Sequence, residues 1–283
     1  MPSIIETIQK RISIRTYSPK SVEEETKNEL RAFLMANPGG PFGNRVRFHL
    51  LDLTGVDPSE IRDLGTYGVI KGAKLFIVGA VKKGIRAMED FGYSMEKNIL
   101  KATELGLGTC WLGGTLNHSG FAARMNIAGD ERMPAISPLG YPKDQRSLVD
   151  GLFRWMAGSK SRKSWGEIFY LQNIASPLSK QEAGKYACPL EMVRLAPSAS
   201  NKQPWRIVKE ENSFHFFLKR NKGYGRIFQK DSLQDIDMGI AMSHFEVSAQ
   251  ELNLPGNWRE DPPDIPVEDW EYIASWKSEM ESL

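Results

Sequence analysis

The sequence predicts an α+β protein made of two related halves, each a small sheet flanked by helices. Three observations predict it. Runs of period-two apolar alternation are interspersed with amphipathic segments of period 3.6. Two long helical segments match each other at an offset of 147: Ala102-Thr-Glu-Leu105-Gly-Leu107 with Trp111, and Ala249-Gln-Glu-Leu252-Asn-Leu254 with Trp258. A weaker match in the same order pairs Pro38…Arg47-Phe48 with Pro197…Arg206-Ile207 at an offset of 159. So long a period is not that of a solenoid. It describes a pseudo-dimer in one chain, whose shared face plays the part of a two-fold interface.

The elements follow in order. Ile4, Ile5 and Ile8 give a short helix over 3–10. Val22–Met35 carries Leu30, Phe33 and Leu34, has acids in its first turn and is followed by Pro38, so it reads as a helix. Val46–Leu53 alternates and Leu75–Val81 is continuously apolar; both read as strands. Ser94–Leu107 puts Met95, Ile99, Ala102 and Leu105 on one face and ends at Gly106 and Gly108. Pro134–Tyr141 reads as a short buried strand. Trp205–Val208 and Phe214–Leu218 flank Glu210-Glu-Asn212 as a hairpin, and Asp235–Leu252 is the second long helix. The small, charged stretch Ala157–Ser164 places the main boundary. The expected organisation is a first half over 1–156, a linker over 157–163, a second, reduced half over 164–258, and an acidic tail over 259–283 with eight acids against two bases.

Composition narrows the function. The chain has 283 residues, 41% of them hydrophobic and 25% charged, with a net charge of +2. That describes a folded protein of one or two domains and argues against dedicated nucleic-acid binding. The apolar stretch Leu75–Val81 is far below the ~18–20 residues of a membrane span, and the first twenty residues carry charge throughout. Two cysteines, Cys110 and Cys188, fit a reducing cytoplasm. His49, His118, His215 and His244 have no metal-ligand spacing, and no Gly-x-Gly-x-x-Gly follows a strand.

Three segments carry possible chemistry. In Arg11-Ile-Ser13-Ile-Arg15-Thr-Tyr17, an extended backbone puts Arg11, Ser13 and Arg15 on one side, which is either an anion clamp or a solvated polar edge. In Pro197-Ser-Ala-Ser-Asn201-Lys-Gln203-Pro-Trp205, Asn201 and Gln203 could meet a heterocycle edge or polyol, or brace their own backbone. The glycines of Gly108-Thr-Cys-Trp-Leu-Gly113-Gly114 allow close backbone approach to a ligand, or only cap a helix.

Together with Pro138-Leu-Gly-Tyr-Pro142, these motifs resemble the FMN-dependent nitroreductase family over most of residues 3–258. The resemblance implies a nitroreductase-like α+β fold. In that family's homodimers each FMN lies at the interface and is contacted by both subunits. Here the Pro-Ser-x-x-Asn motif sits in the second half, its slot in the first reads Pro38-Gly-Gly-Pro-Phe-Gly-Asn44, and the second half lacks Arg-x-Ser-x-Arg. This resembles the duplicated single-chain branch, a monomeric pseudo-dimer or weak homo-oligomer with one complete site. The resemblance places Arg11 and Ser13 at the FMN phosphate and ribityl chain, and Arg15 at the N1/O2 edge. It lines the other side with Pro197, Ser198, Asn201 and Gln203, puts Gly113 and Gly114 near N5 and O4, and adds Arg146 at the phosphate. It implies NAD(P)H as transient donor and a nitroaromatic, quinone or similar acceptor, with no catalytic acid or base from the protein. A non-catalytic flavin- or nucleotide-binding protein is the alternative.

Overall fold

In the computed structural model, which describes residues 2–37, 39–57, 60–61, 70–113, 119–143, 162–221 and 233–279, the first period-two run forms β1 (Val46–Asp52). It pairs antiparallel with β2 (Leu75–Lys82), from Val46 opposite Val81 to Asp52 opposite Leu75. The short β3 (Gly108–Thr109), β4 (Leu112–Gly113) and β5 (Glu131–Arg132) and the buried β6 (Ala135–Gly140) complete this first sheet. Its order is β1-β2-β6-β3, with β4 on β6 and β5 on β2. Because β2 and β6 are covered on both faces, they are apolar without alternation.

The helices of this part are α1 (Ile4–Lys10), α2 (Glu24–Ala36), α3 (Ala87–Glu104) and α4 (Ser119–Met125). Ser3 caps α1 by accepting from the Glu6 N–H. One apolar cluster joins Leu30, Phe48, Ile77, Phe91, Met95 and Ile99 between sheet and helices. Another, around Phe76, Phe121 and Ile136, covers the opposite face.

The second sheet has the order β10-β11-β9-β8-β7. It comprises β7 (Phe169–Leu171), β8 (Trp205–Glu210), β9 (Ser213–Lys219), β10 (Gly256–Arg259) and β11 (Trp270–Ser278). Strands β7 and β8 run parallel, and the other described pairs of this sheet are antiparallel. The expected hairpin is β8–β9, turning at Glu211 with φ 47°. Two helices, α5 (Lys180–Ala183) and α6 (Ala187–Leu195), precede the long α7 (Leu233–Glu251). Trp205, Phe214, Phe216, Phe245 and Trp276 form the aromatic core between α7 and this sheet.

The expected acidic tail over 259–283 contributes a strand to the second sheet: β11 lies between β10 and β9, with Ile273, Ala274 and Trp276 buried. The expected linker lies outside the described residues over 157–161. Its last two residues, Arg162 and Lys163, are fixed: both Arg162 Nη atoms donate to the Leu195 and Ala196 carbonyls, and the Lys163 N–H donates to Gln203 Oε1.

The long helices α3 and α7 pack directly on each other. A Cβ on Gly92 would stand 2.1 Å from the Ile236 carbonyl oxygen, and one on Gly239 would stand 1.9 Å from that of Glu89. Gly92 and Gly239 are 147 residues apart, and so are Glu89 and Ile236. Each helix therefore presents to the other the same notch at the same position.

Candidate functional site

The segment 11–17 is extended and pinned by its backbone. The Ile14 N–H donates to the Thr109 carbonyl at 2.7 Å, the Lys71 N–H to Arg15 at 2.8 Å, and the Tyr17 N–H to Lys71 at 2.8 Å. Ile14 and Tyr17 turn into the core, and the Tyr17 hydroxyl donates back to the Ile14 carbonyl. Gly108 permits this approach, since a Cβ there would meet Ile14 Cγ1 at 2.8 Å. Alternation then turns Ser13 and Arg15 outward.

They open onto a cavity of about 290 Å³, at the small end of ordinary ligand pockets. One wall is Ser13, Arg15, Trp111 and Gly113; the other is Pro197–Ser200 with Leu233, Ile236, Asp237 and Ile240 of α7. The motifs at opposite ends of the sequence thus face each other across one space.

The 197–203 loop is held in a strained shape. Ser200, Asn201 and Gln203 have φ of 48°, 54° and 47°, a region costly to residues other than glycine. Tertiary bonds impose it: Ser198 Oγ accepts from the Gln203 N–H and Asp237 Oδ1 from the Ala199 N–H, both at 2.9 Å. Gln203 Nε2 donates to the Asn201 carbonyl and Oδ1, and Arg206 Nη1 to the Gln203 carbonyl. Asn201 and Gln203 therefore brace the loop from behind; neither lines the cavity.

A buried charge cluster lies behind the cavity residue Trp111. Glu96, fully buried, accepts from Trp111 Nε1 at 2.6 Å and lies 2.9 Å from His244 Nε2. Arg11 Nε is 3.8 Å from the same carboxylate. Arg11 is only 8% exposed, and its Nε and Nη1 have no hydrogen-bond partner among the described residues. Burial, with Arg11 and Arg194 nearby, lowers the Arg162 guanidinium to about 10. Burial also pushes the Cys110 thiol up, as suits an inert cysteine.

Gly114 and Arg146 lie outside the described residues. Sequence motifs did not single out Trp111 as a lining residue, nor Asp237, which hides in an apolar helix. Among the described residues no group of three or more His, Cys, Asp or Glu could hold a metal, and no helix is long and apolar enough to cross a membrane.

Comparison with known proteins locates this arrangement. A crystal structure from Thermotoga maritima, described as a "putative nitroreductase", aligns over 98% of this chain and 94% of its own, at 19% identity and a TM-score of 0.61. A Desulfovibrio desulfuricans structure in complex with FMN aligns over 51% of this chain and 88% of its own, at 22% identity and a TM-score of 0.41. An FMN-dependent nitroreductase from Clostridium difficile aligns over 50% and 88%, at 22% identity and a TM-score of 0.39. No curated protein sequence matches the chain. The first of these structures shares the fold across nearly the full length, and the family model described as "Putative TM nitroreductase" matches residues 3–249. The chain belongs to that nitroreductase family.

Proposed function

We propose that the chain is an FMN-dependent oxidoreductase that accepts hydride from NAD(P)H and passes it to a nitroaromatic, quinone or similar acceptor. The observation that carries this reading is the meeting of Ser13 and Arg15 with the Pro197–Ser200 loop across one cavity. The donor set fits FMN. A buried Arg11 whose Nη1 has no hydrogen-bond partner among the described residues suits a phosphate, and permanent positive charge at Arg15 suits a ring that gains negative charge on reduction. FMN, when bound, supplies hydride exchange at N5. Arg11 and Ser13 would hold its phosphate and ribityl chain. Gly113 would offer backbone at the ring, and Trp111, Leu233, Ile236 and Ile240 would exclude water from one face. Asn201 and Gln203 support it indirectly by bracing the loop.

The matched notches at Gly92 and Gly239 support an internal duplication with α3 and α7 at the pseudo-two-fold interface. One FMN per chain follows. Where α7 offers apolar Leu233 and Ile236, the corresponding positions are Arg86, the N-cap of α3, and Glu89 in its first turn. Arg86 Nη1 bonds Glu89 and Glu271, and its Nη2 donates to the Tyr272 carbonyl, closing that place with charge.

The test is flavin released from the purified full chain, followed by anaerobic NAD(P)H. About one FMN per chain, bleached by the donor and reoxidised by a quinone, is the expected result. Flavin that binds but is not bleached would leave a binding protein, and no flavin uptake at all would overturn the reading. Arg15→Ala should alter the bound flavin's reduction potential.

A further inference from the structure

Asp90 on α3 and Asp237 on α7 stand 147 residues apart, at matching positions of the two long helices. Both are buried, at 0% and 2% exposure. Both accept from the backbone of the loop that packs over them. Asp90 is saturated: Oδ1 accepts from the Phe42 N–H, and Oδ2 from the Asn44 N–H and Nδ2, at 2.8–2.9 Å. Asp237 is not. Its Oδ1 accepts from the Ala199 N–H, while Oδ2 is buried without a hydrogen-bond partner among the described residues.

The sequence explains the difference. Gln203 is the counterpart of Asn44 at the offset of 159, and its amide is turned away, engaged with Lys163 and Asn201. Ala199 is the counterpart of Gly40, where a Cβ would stand 2.2 Å from Asp90 Oδ1. The first loop closes down on its aspartate; the second leaves its aspartate on the cavity wall. A buried polar atom without a partner is costly, so one that persists beside a cavity calls for a ligand atom. Burial raises the Asp237 carboxyl well above its usual range, with Asp235 adding to the rise and the Ala199 N–H opposing it. In its protonated form the carboxyl is a donor as well as an acceptor.

We propose that Asp237 is a ligand-binding residue, with Oδ1 fixing the 197–201 loop and Oδ2 donating a hydrogen bond to a flavin oxygen against that loop. This rests on the FMN reading above. The oxygen belongs to a ribityl hydroxyl or to a ring carbonyl.

The experiment is titration of flavin-free full-length protein with FMN, followed by fluorescence quenching, for the wild type, Asp237→Asn and Asp237→Ala. The asparagine amide keeps one acceptor and one donor, so its affinity should stay within about threefold, while alanine should lose about tenfold or more. Repeating the titrations with lumiflavin, which has no ribityl chain, assigns the oxygen. A penalty that persists means a ring carbonyl; one that vanishes means a ribityl hydroxyl. Alanine within about twofold of wild type would overturn the inference, and so would an asparagine variant weakened tenfold or more, which would mean that a charged carboxylate is needed. Should the alanine variant not fold, Asp237→Leu, which keeps the volume and removes both polar atoms, takes its place with the same expected loss and the same overturning limit. A wild type that takes up no FMN would overturn the functional reading instead.

Discussion

Helices α3 and α7 carry the same architecture and opposite chemistry. Their notches at Gly92 and Gly239 and their loop-holding aspartates coincide in position. Yet the start of α3 turns its N-cap Arg86, Glu89 and Tyr93 toward hydrogen-bond partners, where α7 places Leu233, Ile236 and Ile240 on the cavity wall. The close contact between the two helices is made at matching positions of each. What differs is whether the space beside each helix is filled from within. Ion pairs from Arg86 and Arg220 to Glu271 fill one side, and apolar side chains leave the other open.

The largest expected effect is at the notches. Alanine in place of glycine within a helix ordinarily gains about 1 kcal/mol. Here backbone oxygens stand where the methyl would go, and the helices must part. Gly92→Ala and Gly239→Ala should each destabilise by about 3 kcal/mol, as read from urea denaturation. Stabilisation by either one, or a large difference between them, would break the equivalence of the two helices.

Next come the aspartates. Asp90→Ala strips three donors of their acceptor and should cost about 2–3 kcal/mol, whereas Asp237→Ala strips one and should cost about 1 kcal/mol in the flavin-free protein. Flavin affinity should rank the other way. Both carboxyls are raised by burial, so the sign of the pH dependence is fixed. The stability tied to their protonated forms is fully present below about pH 4, the unfolded value, and is lost as pH rises through the raised folded value. Asn at either position should remove that residue's share of the slope, measured as denaturation midpoint against pH in the flavin-free protein.

Much of this was legible in the sequence. Ser13, Arg15, Gly113, Pro197 and Ser198 reach one cavity because their motifs encode local geometry: an alternating segment, a glycine turn, a loop of small residues. The first seven residues of α3 were not legible. Glu89 and Asp90 are acids on a buried helical face, Glu89 paired with Arg86 three residues before it and Asp90 with the Phe42–Asn44 loop, distant in sequence. Strand β11 was hidden likewise: Trp270–Ser278 lies among acids, and only pairing with β9, some fifty residues earlier, makes a central strand of it. Asp237 lacked a signal because a lone acid in an apolar helix acquires meaning only from the loop above it.

The smallest effect concerns Arg47 and Arg206, counterparts on β1 and β8 at the offset of 159. Arg47 makes two bonds to Glu131, Nε to Oε1 at 2.7 Å and Nη2 to Oε2 at 2.6 Å. That guanidinium holds the Glu131 carboxyl at about 2. The stability it lends is present above about pH 4.3, the unfolded value, and is lost as pH falls through the folded value. Glu131→Gln should therefore cost about 0.5–1 kcal/mol at neutral pH and progressively less as pH falls toward the folded value. Arg206 is lowered by burial and spends Nη1 on the Gln203 and Trp205 carbonyls. Arg206→Met should leave acid stability alone and instead loosen the 197–203 loop, so that bound flavin dissociates faster. Arg47 holds a carboxylate and Arg206 holds the 197–203 loop, and the two variants should be separable by pH in the first case and by flavin off-rate in the second.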